Sequence, residues 1–481
     1  MIKEGYIPRE QRKKILLLCD DIRFTSGIST MAKEMVIGTA HRFNWVNIGA
    51  AITHPDAGKK LDASPDTNDI AGIPDSSVFI YPNSGYGSQE LLRQIMQIEK
   101  PDVLMFFTDP RYWIWLFQME NEIRKKIPMV YLNIWDDLPA PLYNKSFYES
   151  CDALMAISKQ TLNINKMVLG EKAAGKVLKY VPHGINERMF YPITPDMTEQ
   201  YAKVQERRKQ YFGNNQPEFV VLYNARNIRR KCVPDLIAGY VQFCDRVGEE
   251  AARKCTLLLH TQPVDENGTD LPAVVELLCD PEKHRVVFVT DLYPTAEMNI
   301  LYNCSDVVAL VSSNEGWGLS LTEGMMCGKP IIATVTGGMQ DQMRFEDENG
   351  EWIDFDENFC SNHYGTYKKH GSWAFPVYPS NMSLVGSVPT PYIWDDRADY
   401  RDIARQLYNV YSIGKDQRNV IGQEGYRWVT SDESMMSARW MCKNVIDTVE
   451  KTLETWKPRP AYEFMKIEKL PKKRIVHPLM Y

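Results

Sequence analysis

Ser313-Asn314-Glu315-Gly316-Trp317-Gly318-Leu319-Ser320-Leu321-Thr322-Glu323-Gly324-Met325-Met326-Cys327-Gly328-Lys329-Pro330 sets two glutamates eight positions apart, with apolar runs at 307–311 before it and 331–333 after it. That order predicts strand, glycine-containing loop, short helix, strand. The loop carries Glu315 beside a helix N-terminus, where unpaired N–H groups point outward. Glu323 falls within the helix, which Gly328 and Pro330 end. Free N–H groups favour phosphate, and carboxylates accept hydroxyl protons. A ligand with a phosphate centre flanked by hydroxyl-rich groups, such as a nucleotide sugar, matches this pattern.

The surrounding chain has 481 residues, more than one core usually holds, so two domains are expected. Its 44% hydrophobic content and 28 prolines are ordinary for a globular protein. No uncharged apolar stretch has the length of a bilayer span. Residues 1–14 are polar and basic with no apolar h-region, so no secretion signal is expected. Ten cysteines stand singly with no C-x-x-C pair, which points to free thiols in a reducing, cytoplasmic setting and away from a metal site. The net charge of −6 does not announce a nucleic-acid binder. The ends differ: residues 1–14 carry five Lys/Arg against two Glu, and 457–481 seven against two. They read as solvated tails or as a basic patch for peripheral contact with an anionic surface.

Apolar runs of strand length alternate with amphipathic stretches. Strands are expected at 15–19, 46–51, 78–81, 103–107, 129–134, 154–157 and 178–181, then at 219–223, 256–260, 286–289, 307–311 and 331–333. Helical patterns occupy 28–42, 89–98 and 112–124, and two more close the chain at 399–413 and 433–456. The fold class implied is α/β, with parallel sheets covered on both faces. The polar stretch 198–210 and Gly213-Asn214-Asn215-Gln216-Pro217 read as the linker. Residues 343–397 break the rhythm but are too aromatic for disorder, so an ordered insertion on the second domain is expected. The expected division is 1–195, an N-terminal Rossmann-like acceptor domain; 196–430, a C-terminal Rossmann-like donor domain holding the insertion; and 431–481, a helix and basic tail crossing back to the first domain. Two doubly wound domains hold ligands at the carboxyl ends of their strands, and Glu315 follows such a strand directly.

The two glutamates resemble the Glu-x7-Glu signature of retaining glycosyltransferases of the GT-B fold, family 4 (glycosyl transferases group 1). Four further stretches are similar to that family, in order: Thr25-Ser26-Gly27-Ile28-Ser29 after the first strand, Val181-Pro182-His183-Gly184-Ile185-Asn186 with Phe190-Tyr191-Pro192, Ala225-Arg226-Asn227-Ile228-Arg229-Arg230-Lys231, and Gly337-Gly338. The resemblance covers about residues 14–342 and part of the C-terminal helices. It departs at Ala225 and Cys232, where glycines are usual, and at Trp135, which stands where the family often has a histidine; no catalytic histidine carries over.

The resemblance implies two facing Rossmann-like domains with a central cleft, and transfer of a hexosyl or pentosyl group from a nucleotide sugar with retained configuration and no metal or other cofactor. Arg226 and Lys231 would stabilise the leaving diphosphate; Arg226 also reads as a helix-capping or surface-paired arginine. Glu315 would hold the transferred sugar, and Glu323 the ribose. Gly316, Trp317, Gly318, Leu319 and Ser320 would line the donor phosphate, Thr290 would meet the base, and Gly27 would let the first domain approach closely. Asp136 would support positive charge on the sugar ring or orient the acceptor hydroxyl, and Asp137 would face the acceptor; both also suit a turn before Pro139. The acidic pairs Asp20-Asp21 and Asp395-Asp396 do not form a metal ligand set. His183 reads as a turn residue, and the aromatic run 112–115 as helix core or a stacking platform. The acceptor stays open among glycan, lipid and modified DNA base. A nucleotide-sugar epimerase and a non-catalytic nucleotide-sugar binder are the alternatives. A nicotinamide dehydrogenase is disfavoured, because no G-x-G-x-x-G follows a strand.

Overall fold

The computed structural model describes residues 5–50 and 55–460. Strands rich in Leu, Ile, Val and Phe build two parallel sheets, each buried on both faces. The first contains β1 (Lys13–Asp20), β2 (Phe43–Ala50), β3 (Leu61–Asp62), β4 (Val78–Pro82), β5 (Val103–Phe107), β6 (Met129–Asn133), β7 (Ala153–Ala156) and β8 (Val177–Tyr180), in the order β3-β4-β2-β1-β5-β6-β7-β8. Only β3 runs antiparallel, against β4. The second holds β9 (Phe219–Asn224), β10 (Cys255–His260), β11 (Val286–Val289), β12 (Val307–Leu310), β13 (Ile331–Thr334) and β14 (Ala374–Val377), ordered β11-β10-β9-β12-β13-β14. The architecture is two Rossmann-like lobes.

The strand order positions the site. In the first sheet the chain reverses its direction of growth between β1 and β5; in the second it does so between β9 and β12, which pair through Val307↔Val221 and Val308↔Leu222. Connections on either side of such a point leave toward opposite faces and open a crevice at the carboxyl ends. The loops after β9 and β12 therefore meet, and Ser313 N–H donates to Arg230 O at 2.8 Å.

Several elements differ from the sequence-based expectation. The region 343–397 is not wholly an insertion: Ala374-Phe375-Pro376-Val377 is too short to stand out among turn formers, yet it pairs in register with β13 and completes the sheet. The hairpin β15 (Pro379–Ser387) and β16 (Thr390–Ala398) then reaches the first lobe. Trp394 N–H donates to Leu138 O at 2.6 Å, Tyr143 OH donates to Tyr392 O at 3.1 Å, and the Tyr143 and Tyr392 rings meet edge to face at 5.0 Å. The pattern at 112–124 breaks into short turns, Pro110–Trp113, Ile114–Gln118 and Glu120–Ile123. An unanticipated helix, Gly414–Val429, precedes the last one. The linker candidate forms the helix Thr198–Phe212, docked on the second lobe through Val204 against Ile300 and Cys304.

The last helix, Ala438–Thr455, lies on the first lobe's helix Gly27–Thr39. Cys442 Sγ points at Glu34 O (3.7 Å), and Arg42 pairs with Glu450. The basic tail beyond residue 460 and residues 1–4 fall outside the described residues. All ten cysteines are free thiols, and seven are buried. No helix among the described residues is long and apolar enough to cross a membrane.

Candidate functional site

Glu315 leaves the end of β12 and enters a cluster of cations. Its Oε2 accepts from Arg230 Nη1 at 2.8 Å and from Lys231 Nζ. Arg230 Nη1 also donates to Asn314 O at 2.8 Å, tying the two loops together. Lys231 is 8% exposed and Glu315 9%, so water screens this contact little. Burial alone would raise the Glu315 carboxyl, but Arg230 and Lys231 outweigh it and hold it at about 2. Lys231 is pushed below its usual range by burial, which its share of one carboxylate does not offset. The two shifts differ in direction because Glu315 faces two cations, while Lys231 shares Glu315 with Arg230, whose charge opposes its own.

Arg226 is not brought into this cluster. Its side chain is 62% exposed and paired with Asp265 at 2.7 Å. Arg230, four residues on, occupies the position beside Glu315. Only its adjacency to Lys231 hints at that in the sequence.

The helix Leu319–Met326 begins at Gly318, whose φ of +85° suits glycine, and no side chain caps its first turn. The loop before it is pressed on the first lobe. A Cβ on Gly316 would lie 2.8 Å from Ile134 O, and one on Gly27 would lie 3.1 Å from Leu319 Cδ1. Gly338 N–H donates to Glu315 O at 2.9 Å, and a Cβ there would sit 2.0 Å from Gly316 O. The lobes thus meet at Gly316 against the Ile134 carbonyl, at Gly27 against the Leu319 side chain and at Gly338 against the Ser158 side chain. Trp317 is 2% exposed, with its ring N–H bonded to Thr322 Oγ1 at 2.9 Å and its ring edge-on to His183, which follows β8. Ser320 is buried in the first helical turn, and Thr290 is exposed at the end of β11.

Asp136 and Asp137 face this cluster from the end of β6. A Cβ on Gly337 would lie 3.5 Å from Asp136 Cβ and 2.4 Å from Glu315 O, which fixes the approach of the two loops. Burial raises the Asp136 carboxyl to about 6, with Arg230 opposing and Glu315 adding to the rise. Asp137 is raised further by burial and by Asp136. Trp135 donates to Asp137 O at 3.1 Å and packs edge to face on Tyr143 at 5.8 Å. The hairpin closes this side: Asp395 Oδ1 accepts from Asn314 at 3.1 Å, and fully buried Asp396 accepts from Thr336 at 2.7 Å and Asn362 at 2.8 Å. The hairpin's part was missed, since nothing in its sequence marks it as spanning two lobes. His183 is buried between Phe107 and Trp317, and burial lowers it to about 3, which removes it as a base at neutral pH.

Glu323 is half-buried in its helix. Its Oε2 accepts from Tyr302 OH, and burial raises the carboxyl to about 7. No group of three or more His, Cys, Asp or Glu among the described residues has the arrangement of a metal site.

Residues 281–358, which contain both glutamates, match the model for Glycosyl transferases group 1. That segment is similar to the family, and the chain has the GT-B fold. An uncharacterized glycosyltransferase of Methanocaldococcus jannaschii is 29% identical over 56% of this chain and 62% of its own length. The N-acetyl-alpha-D-glucosaminyl L-malate synthase of Bacillus anthracis is 25% identical over 56% and 66%. The matches to these two curated relatives thus span a little under two thirds of their length. Among solved structures, Anabaena HepE in complex with UDP and glucose aligns with a TM-score of 0.61 at 15% identity, covering 92% of this chain and 100% of that one. Sucrose-phosphate synthase from Thermosynechococcus elongatus aligns at 0.63 and 15%, with the same coverage. At that identity these likenesses concern the fold.

Proposed function

We propose that the chain transfers a sugar from a nucleotide-sugar donor to an acceptor hydroxyl, with retained anomeric configuration and without a metal ion. The observation that carries the proposal is the meeting of Glu315, Arg230 and Lys231 at the crevice of the second sheet, opposite Asp136 from the first. Cleaving a sugar–phosphate bond leaves charge on the diphosphate. Fixed cations and the uncapped N–H groups at Leu319 and Ser320 stabilise that charge in a cleft from which water is largely displaced. Arg230 and Lys231 thereby do the work a cation would do elsewhere. Glu315, held ionised, accepts a hydroxyl of the departing sugar, and Glu323 accepts from ribose. Asp136 lies where positive charge would develop on the ring. The leaving diphosphate takes the acceptor proton on the face of departure.

The acceptor side combines Trp135, Tyr143, Tyr392 and Trp394 with Asp136, Asp137 and Asp395. That surface suits a hydroxyl-rich group with no phosphate near its reacting end, whether it belongs to a glycan, a lipid or a modified base. Free thiols and the family's soluble donors suit a cytoplasmic setting.

The test is a panel of UDP-, GDP- and ADP-linked sugars. A true donor raises the melting temperature by mass action. Added acceptor then releases free nucleoside diphosphate, and Lys231→Ala abolishes that release. No stabilisation by any nucleotide sugar, or release indifferent to Lys231→Ala, would overturn the proposal. Release without any acceptor, or sugar isomerisation in its place, would point to an epimerase.

A further inference from the structure

Behind Glu323 runs an uninterrupted chain of hydrogen bonds. Tyr302 OH donates to Glu323 Oε2. Asn224 Nδ2 donates to Tyr302 OH at 2.7 Å. His260 Nδ1 lies 2.7 Å from Asn224 Oδ1, and His260 Nε2 lies 2.8 Å from Asp291 O. Asn224 ends β9, His260 ends β10, and Asp291 follows β11, so three neighbouring strand ends carry the chain from the ribose side to the base side of the crevice.

The donor and acceptor chemistry restricts its protons. A carbonyl oxygen only accepts, so His260 Nε2 carries a hydrogen. With Glu323 ionised, Tyr302 donates to it and Asn224 donates to Tyr302. Asn224 Oδ1 then accepts from His260 Nδ1, and both ring nitrogens are protonated. In the other arrangement Glu323 carries the proton and donates to Tyr302. Tyr302 donates to the turned amide of Asn224, and neutral His260 accepts at Nδ1. With no shared proton, Nδ1 and Oδ1 would be two acceptors at 2.7 Å. With two, the amide N–H would meet an N–H. Only one proton shared between the ends satisfies every link.

We propose that Tyr302, Asn224 and His260 are positioning residues for the donor: a relay that shares one proton with Glu323 and keeps its carboxylate ionised and aimed when ribose hydroxyls donate to it. This rests on the reading of Glu323 as the ribose contact. Binding converts the neutral arrangement into the charge-separated one: Glu323 gives up its proton, His260 takes one up at Nδ1 by exchange with solvent, and the Asn224 amide turns over between them. Burial opposes charge at both ends, raising Glu323 and lowering His260, so the neutral arrangement is favoured until ribose hydroxyls donate to the carboxylate. The other polar neighbours are Cys327, near Glu323, and Tyr293, stacked on His260 at 5.5 Å. Asp291 Oδ2 accepts from Tyr293, and Tyr211, Arg207 and Glu297 lie beyond it. None of these substitutes for a link in the chain.

Histidine ring nitrogens, followed by 15N NMR in the full-length chain across neutral pH, test the relay without a ligand. Glu323→Gln and Tyr302→Phe should each move the His260 titration midpoint by about one pH unit or more and leave His370 unchanged. A His260 midpoint indifferent to both changes overturns the relay. A second measurement uses UDP, GDP and ADP, with affinities taken by calorimetry. For whichever binds, Tyr302→Phe and His260→Gln should weaken binding about tenfold, a factor equal to about 1.4 kcal/mol, and kcat should change by less than twofold. If Glu323→Gln leaves nucleotide affinity intact while the His260 midpoint moves, the ribose assignment fails and the relay stands. If affinity falls and the midpoint does not move, the relay fails and the ribose assignment stands.

Discussion

Replacing Glu315 by glutamine removes one charge at nearly constant shape from a buried cluster. The structure allows the cost to be worked out. Burial raises the Glu315 carboxyl and two cations lower it, with a net displacement from 4.5 to about 2. At about 1.4 kcal/mol per pH unit, that is about 3 kcal/mol of stability. The Arg230 side chain is 42% exposed, so part of its attraction is screened, and about 2–3 kcal/mol is the expected loss at pH 7. The folded carboxyl is the stronger acid, so its contribution is fully present above 4.5 and is lost as the pH falls toward 2. About 1 kcal/mol should be gone by pH 4 and about 2 kcal/mol by pH 3. Two lobes need not unfold together, so the readout should be local. Hydrogen exchange in urea, on peptides spanning residues 307–326, gives that readout. The gap between wild type and Glu315→Gln should be constant from pH 6 to 8 and close as the pH drops below 4.5. A variant as stable as wild type at pH 7, or a gap that stays constant on acidification, would refute the view that pairing outweighs burial here.

Other expectations follow from the same geometry. Arg230→Ala should lower turnover by about 10²–10³, as for one lost charge-stabilising donor. Arg226→Ala should cost less, because Arg226 is exposed and held by Asp265; equal losses in single-turnover assays would show that Arg226 moves into the cleft. Asp136 is raised to about 6, so its carboxylate forms as the pH climbs through that value. The kcat/KM for transfer should fall about tenfold for each pH unit below 6, and Asp136→Asn should remove that limb of the profile. Gly316→Ala puts a methyl 2.8 Å from Ile134 O. It should part the lobes, enlarge the radius measured by small-angle scattering and lower kcat/KM about tenfold or more, without unfolding either lobe. Truncating both Tyr392 and Trp394 to alanine should raise the acceptor KM and leave nucleotide affinity unchanged, measured by initial rates and calorimetry.

The alternation of apolar runs and amphipathic stretches was enough to read two parallel α/β lobes, because a doubly buried strand must be apolar along its whole length. Val307–Leu310 and the run 331–333 show this plainly. β14 escaped notice because four residues between turn formers carry almost no periodicity, and their pairing with β13 comes from tertiary context. Within the candidate site, Glu315 and Asp136 were legible in loops after strands and Glu323 in the helix after one, while Lys231 was legible only through the family resemblance. Arg230 was not, because the direction a side chain takes from a short turn depends on its partner across the crevice. Tyr302, Asn224 and His260 were invisible for a related reason. Each looks like an ordinary strand-end or helix residue, and only the lateral order of β9, β10 and β11 brings them into line.

The glycines add a last step. Close contact at Gly27, Gly316, Gly337 and Gly338 makes the two loops behave as one surface only when the lobes are together. Glu315 then has Arg230, Lys231 and Asp136 around it, and the carboxyl of Asp136 is raised by the closeness of Glu315 as well as by burial. Parting the lobes would hydrate Asp136 and return it toward its usual range near 4. The acid limb of the pH–rate profile is therefore a reporter of closure. In Gly316→Ala the limb should shift to lower pH even as the rate falls. If the limb stays near pH 6 in that variant, Asp136 owes its titration to the first lobe alone, and contact between the lobes does not tune it.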